Sequence, residues 1–332
     1  MKKAVFIAVL ALFAFFFSCS RKPKTSCVYG DKIPEEILEK AGKIGDEIMF
    51  ALENKNFDEI YKYASQMMKK SQTKEQFKTV MKVMLRNFAP IEYPQLKEAY
   101  YLKNKAGKKY AVVSVPCSLT EKSNDIYQVP ANSEIVSLIY YSRSGEEIAR
   151  TFIELIKEDN SWKLLSIALS PRTFLGNTVA NYIKKARKAR EEGKLRLAIL
   201  YYRLASLLAD ISPNVDEYVS RMVTQEMAQI KVDYMPMGMA EYWKVDDTIF
   251  RVFRVDVFID KNQPWVKINW IADNFDNLDE VKELSQKLLD FAINKFPEYR
   301  EFFVGIITEA VSEDPRYSKQ TYRLVKKFPK KS

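Results

Sequence analysis

A change in hydrophobic period at Pro90 constrains this chain more than any other feature. Before it, apolar residues recur every three to four positions, as on one face of a helix: Ile37, Ala41, Ile44, Ile48 and Leu52, then Phe57, Ile60, Tyr61, Ala64 and Met68, then Phe77, Val80, Met81, Met84, Leu85 and Phe88. Thr73 followed by Gln76 has the spacing of a capping box, and Pro90 ends the run because proline has no N–H to donate. Beyond it the period is two. The spacing predicts strands over Leu96–Lys103, Tyr110–Leu119, Glu134–Tyr141, Ile148–Lys157 and Trp162–Leu169, turning at Ala106-Gly107, Ser144-Gly145 and Asp159-Asn160. Glu134–Tyr141 is apolar on both faces and reads as a central strand.

Three helices leading into an antiparallel meander, with Thr73-Lys74-Glu75-Gln76-Phe77 at a helix start and Asp159-Asn160-Ser161-Trp162-Lys163-Leu164 at the close, resemble the nuclear transport factor 2-like (cystatin-like) superfamily. The resemblance covers about 34–169 and delimits a domain over 32–172. It implies a sheet curved around a helix into a cone, used by different members as an active site, a ligand pocket or a dimer surface, so function does not follow from it. Tyr140, Tyr141, Phe152 and Trp162 lie on the expected sheet and are the candidate pocket lining; the competing expectation is that they fill the core.

The segment 178–232 is helical. Gly193, Ala198, Tyr201, Tyr202 and Ala205, with Ala186 before them, resemble the second half of a tetratricopeptide repeat, whose small residues let two helices approach closely. One repeat is too few for a free-standing array, so a helical hairpin packed between two domains is expected rather than a peptide groove. Met235-Pro236-Met237-Gly238-Met239 is a breaker-rich joint. After it, Thr248–Ile259 alternates, Trp265–Ile271 returns, a helix starts near Asn277 with Glu280 in the reciprocal capping position, and Phe302–Ala310 and Gln320–Val325 are strands. The expected class is α+β: N-terminal helices with a curved antiparallel sheet, a central α-hairpin, and a ββαββ unit with a basic tail over 233–332.

The N-terminus bears on location. Met1-Lys2-Lys3 is basic, Ala4–Phe17 is an unbroken apolar run of fourteen residues, and Ser18-Cys19 ends it. That order is the order of a secretory signal, and the run is shorter than the ~18 residues a membrane-spanning helix needs. Ser18-Cys19 resembles a bacterial lipobox, in which the cysteine is lipidated; Phe16 and Phe17 depart from the family's preference. The resemblance implies a signal over 1–19, Cys19 as the lipidated residue, a polar tether over 20–31, and anchoring to a membrane of the cell envelope. Export permits a Cys27–Cys117 disulfide; Cys117, on an apolar strand face, reads more simply as a small core residue.

Net charge is +10. Between Lys184 and Arg196 seven Lys/Arg face two Glu, which makes Lys184, Lys185, Arg187 and Lys188 a candidate basic surface. For an exported protein the matching partners are an envelope protein or an anionic polymer, not nucleic acid; a merely solvated helix face is the simpler alternative.

The sequence contains no histidine, which removes Ser-His-Asp and Cys-His catalysis and every His-containing metal site. Neither a CxxC nor a glycine-rich phosphate loop occurs. Ser71-Gln72-Thr73-Lys74 matches Ser-x-x-Lys without its companion motifs. Asp273, Asp276, Asp279 and Glu280 lack calcium-loop spacing and read better as helix-capping acids. No cofactor or metal is expected. The reading is a lipid-anchored, non-enzymatic binding or assembly module; the alternative is a His-free periplasmic hydrolase or small-ligand sensor using the cone cavity.

Overall fold

The computed structural model describes residues 25–88, 91–105, 110–117, 120–210, 215–216, 218–260, 263–273, 275–313 and 320–328. The signal, Cys19 and the first part of the tether lie outside them. The fold is α+β. Its chain groups into two compact units: one of Met1–Arg86, Pro94–Tyr140 and Thr151–Ala168, the other of Asn87–Tyr93, Tyr141–Arg150 and Leu169–Ser332. Where the sequence suggests three modules, the helical segment and the C-terminal sheet therefore belong to a single unit.

The first unit opens with a strand where a tether was expected: β1 (Thr25–Tyr29) pairs antiparallel with Tyr100–Asn104. Then come α1 (Glu35–Glu53), α2 (Phe57–Lys62), α3 (Gln66–Ser71) and α4 (Lys74–Phe88). The second expected helix is thus two. It breaks because Tyr63 and Ser65 exchange backbone hydrogen bonds with Leu164 (2.7 and 2.8 Å), and the Ser65 side chain then caps α3. The capping box at α4 forms: the Gln76 N–H donates to Thr73 Oγ1 and the Thr73 N–H to Gln76 Oε1.

The strands β2 (Glu92–Asn104), β5 (Ser133–Ser144), β6 (Glu147–Glu158) and β7 (Ser161–Pro171) join β1 in the order β1-β2-β5-β6-β7. Between β2 and β5 the chain makes the hairpin β3 (Tyr110–Cys117) and β4 (Thr120–Pro130). The latter was not expected, since Thr120–Asp125 is wholly polar. The central β5 is buried along nearly all its length, as its two apolar faces predict. Helix α1 lies against it at Gly45, where a Cβ would come within 2.5 Å of Tyr140 Oη and 2.6 Å of Leu138 Cδ1. Of the apolar face expected for α4, Phe77, Met81 and Leu85 are buried, but Val80 is exposed.

In the second unit a Thr178/Asn181 capping box starts α5 (Val179–Glu191). Gly193, in the left-handed region at φ +73, turns the chain into α6 (Leu195–Ala209). Ala186, Ala189, Ala198 and Ala205 are buried, so the two helices meet over small residues. Arg150 caps α6: it donates to the carbonyls of Leu208, Ala209 and Asp210 (2.9–3.2 Å) and, through Nε, to Ser170 Oγ. A short strand β8 (Val215–Asp216) and α7 (Tyr218–Ala228) follow.

The C-terminal part exceeds the expected ββαββ unit by one strand. The strands β9 (Glu241–Val245), β10 (Thr248–Asp260), β11 (Gln263–Ile271), β12 (Gly305–Val311) and β13 (Thr321–Lys327) form a sheet ordered β13-β12-β11-β10-β9. Neighbours are antiparallel except β11 and β12, which are parallel because α8 (Leu278–Lys295) crosses between them. Asn277 caps α8 by accepting from the Glu280 N–H. Phe250, Val252, Val255, Trp270 and Ile306 build the core on the α8 side.

Candidate functional site

The expected pocket residues are used for packing. Tyr140, Phe152 and Trp162 are at most 6 % exposed. Tyr140 Oη donates to Asp46 (2.8 Å), and burial followed by that carboxylate raises its pKa. Phe152 packs beside Tyr127 with centroids 6.1 Å apart, and Trp162 meets Tyr101 edge-on at 6.3 Å. Tyr141, on the opposite face of β5 from Tyr140, is half-buried with the Arg172 guanidinium 5.3 Å from its ring.

Cys27 is a free, half-buried thiol in register with Leu102, and burial pushes its pKa up to about 11; the side chain of Cys117 lies outside what is described. The Ser71/Lys74 pair is no dyad either. The Ser71 hydroxyl donates to the Met68 carbonyl (2.8 Å), and Lys74 pairs with Asp58 at 2.7 Å. Asp279 pairs with Lys282. Among the described residues no group of three or more His, Cys, Asp or Glu is placed to hold a metal.

The basic face of α5 is largely engaged within its own unit. Arg187 makes a two-pronged contact with Glu226 (3.1 and 2.5 Å), whose carboxylate also accepts from Tyr202 Oη. The Arg187 hydrogen bond keeps Glu226 below the usual carboxylate range. The Lys185 ammonium lies 5.2 Å from the Tyr182 ring and 5.7 Å from that of Phe302, and burial lowers its pKa. Lys188 sits 3.8 Å from Glu192. Lys184 is exposed.

An open cleft of about 580 Å³ lies beside this basic face, lined by Arg187, Arg190, Glu191, Glu226 and Gln229, and a second surface feature lies elsewhere in the second unit, at the joint preceding β9. Here an open cleft of about 590 Å³ is lined by Arg196, Lys231, Asp233, Met235, Met237 and Glu241 among others. Its walls are fixed. Tyr234, at φ +60, wedges into an aromatic cluster with Trp243 (5.4 Å), Phe291 (5.6 Å) and Phe296 (5.8 Å). The Glu241 carboxylate accepts from the Met235 N–H (3.1 Å) and Trp243 Nε1 (3.2 Å). Arg196 donates to the Asp233 carbonyl (3.0 Å), faces Glu298 at 3.5 Å, and lies 4.8 Å from the centre of the Phe296 ring. From α6, Arg203 Nη2 donates to the Pro236 carbonyl (3.3 Å) and to Met237 Sδ (3.5 Å); burial lowers the Arg203 pKa.

Beyond this clamp the surface turns apolar and open. Met237 is 45 % exposed, Met239 82 %, Tyr242 73 % and Ile249 67 %. Tyr242 is opposite Arg251, and Ile249 opposite Lys244, so Tyr242 and Ile249 are diagonal neighbours on one face. Strand β9 is the sheet's edge. None of these residues was singled out from sequence as a site. The available signal was the recurrence of methionine at alternate positions from Met235 to Met239.

No helix among the described residues is long and apolar enough to cross a membrane. Comparison of the chain with protein-family models, with curated proteins and with solved structures finds no match.

Proposed function

We propose that this chain is a lipid-anchored cell-envelope protein that acts as a non-enzymatic binding or assembly module. The anchor rests on the sequence alone, on the basic start, the apolar run and Ser18-Cys19. The binding role is supported chiefly by one observation: Tyr242 on the edge strand β9 and its diagonal neighbour Ile249 on β10 are both largely exposed, as are Met237 and Met239 in the loop before β9. Lys244 and Arg251 share that face, so the edge carries charge as solvated edges normally do, and its exposed apolar groups are what mark an interaction surface. The edge belongs to a well-braced loop, so a partner would meet a preorganised surface.

Two measurements test this. Metabolic labelling with a fatty-acid analogue is expected to tag the wild-type chain and not Cys19→Ala; equal labelling of both overturns the anchor. A photo-crosslinking residue placed at Tyr242 or Ile249 is expected to give a discrete adduct in intact cells, and one at the exposed Asn181 of α5 none. Absence of an adduct at both edge positions overturns the binding surface.

A further inference from the structure

Strand β1 begins at Thr25, with only Ser20 to Lys24 between it and Cys19. A tether running to Asp31 would reach up to about 45 Å from Cys19, whereas the backbone steps from Cys19 to Thr25 span at most about 21 Å. Thr25 cannot peel away freely, because Thr25–Tyr29 is paired along its whole length with Tyr100–Asn104 and Ile33 beyond it is buried. The end of β1 is therefore where an anchor at Cys19 grips the first unit. That end is basic. The intervening residues include Arg21, Lys22 and Lys24 and no acid. Register sets Thr25 opposite Asn104 and Ser26 opposite Lys103, so Lys103 and Lys105 flank the start of the strand. Lys105 is exposed and makes no ion pair among the described residues. Lys103 shares the Glu134 carboxylate with Lys157, at 3.6 and 3.8 Å, which leaves a positive charge over. Glu36 of α1, within electrostatic reach of Lys157, is neutralised by Lys40 at 2.7 Å.

We propose that this end of the first unit is a second, electrostatic membrane contact, taking the headgroups of acidic phospholipids on Arg21, Lys22, Lys24, Lys103 and Lys105. The inference rests on the proposed anchor at Cys19, which brings these residues to the bilayer. The field of an acidic bilayer falls off over about 8 Å at physiological salt, so the shortness of the tether decides whether the strand end lies within it. A fatty-acyl anchor joined to a basic cluster holds a chain more firmly than either alone, and each basic residue at an acidic surface adds roughly fivefold in affinity. The contact also fixes which end of the sheet faces the membrane.

The test is cosedimentation of the chain 19–332 carrying Cys19→Ser with phospholipid vesicles. This chain keeps every described residue and bears no lipid, so binding reports the surface alone. Binding is expected to vesicles containing phosphatidylglycerol and not to pure phosphatidylcholine. Lys105→Gln, which breaks no ion pair, is expected to weaken it about fivefold, and joint replacement of Arg21, Lys22 and Lys24 by Gln about a hundredfold. The exposed Lys184→Gln on α5 is expected to leave it unchanged. Equal affinity for the two vesicle types, or an equal loss in Lys105→Gln and Lys184→Gln, overturns the surface. Failure to bind acidic vesicles by a protein whose wild-type chain takes the fatty-acid label overturns this inference and spares the anchor. A missing label with acidic vesicles still bound through Lys105 overturns the anchor and spares the surface.

Discussion

Strands β5 and β10 are both sheet strands of twelve or thirteen residues, yet they live in opposite conditions. The first is buried on both faces, under α1 and among the aromatics of its neighbours, and its Tyr140 hydroxyl finds a carboxylate in Asp46. The second keeps its fully buried residues, Phe250, Val252 and Val255, on the α8 side, and α6 also contacts it. On its other face Phe258 lies near two cations, Lys267 at 5.7 Å and Arg323 at 5.2 Å, which both pair with Glu309. At its edge it presents Ile249 to solvent, beside β9. A strand covered on both faces commits its side chains to packing. Strand β10 keeps an ionic network and open apolar groups on the face away from α8.

The sharpest way to break the contrast is to empty the covered sheet. Phe152→Ala is expected to destabilise the chain by about 3–5 kcal/mol through lost burial and a residual cavity, seen as a lower denaturant midpoint with little change in slope. A cost below about 1 kcal/mol would mean that the interior is already hollow and that a ligand cavity exists after all.

A smaller effect is expected on the ionic face. Burial raises the Glu309 pKa, but hydrogen bonds from Lys267 and Arg323 outweigh it and leave the net value lowered. A carboxylate depressed on folding contributes stability above its unfolded pKa and loses it as pH falls through its folded pKa. Glu309→Gln should therefore cost roughly 2–3 kcal/mol at neutral pH, somewhat under the range for a fully buried pair because Arg323 is half-exposed. It should also flatten the acid limb between about pH 5 and the folded value. An unaltered acid limb would show that the network contributes nothing to folding.

The least effect on stability is expected at the rim. Met239→Gln should change the unfolding free energy by no more than about 0.5 kcal/mol, as for other exposed positions. A large loss would move Met239 from a surface free to bind into the structural core.

How legible this was varied with the range of the interaction that decided each element. The helices of the first unit apart from the break at Tyr63–Ser65, which Leu164 imposes, the alternation of β5, β6 and β10, the box at Thr73, the cap at Asn277 and the Asp159-Asn160 turn follow from residues a few positions apart. Asp159 and Asn160 both adopt positive φ (45° and 64°), the conformation that asparagine and aspartate tolerate in tight hairpins. The candidate site was less legible. The methionine spacing was visible as a breaker-rich joint, but its exposure depends on Tyr234 being drawn into a cluster with Trp243, Phe291 and Phe296. The basic run on α5 was visible as charge, whereas its engagement by Glu226 and Phe302 was not.

By itself the sequence determined the α+β class, the places where period changes, the caps, and the absence of any histidine chemistry. Those depend on local backbone preference and on which side chains exist at all. Only the tertiary structure decided that Thr25–Tyr29 is a strand and not a tether, that the polar Thr120–Asp125 begins β4, that β11 and β12 run parallel across α8, and that Tyr140, Phe152 and Trp162 fill space. Each of these depends on a partner distant in sequence. A strand's ladder is completed by another strand, and a ring is core or pocket according to what packs against it.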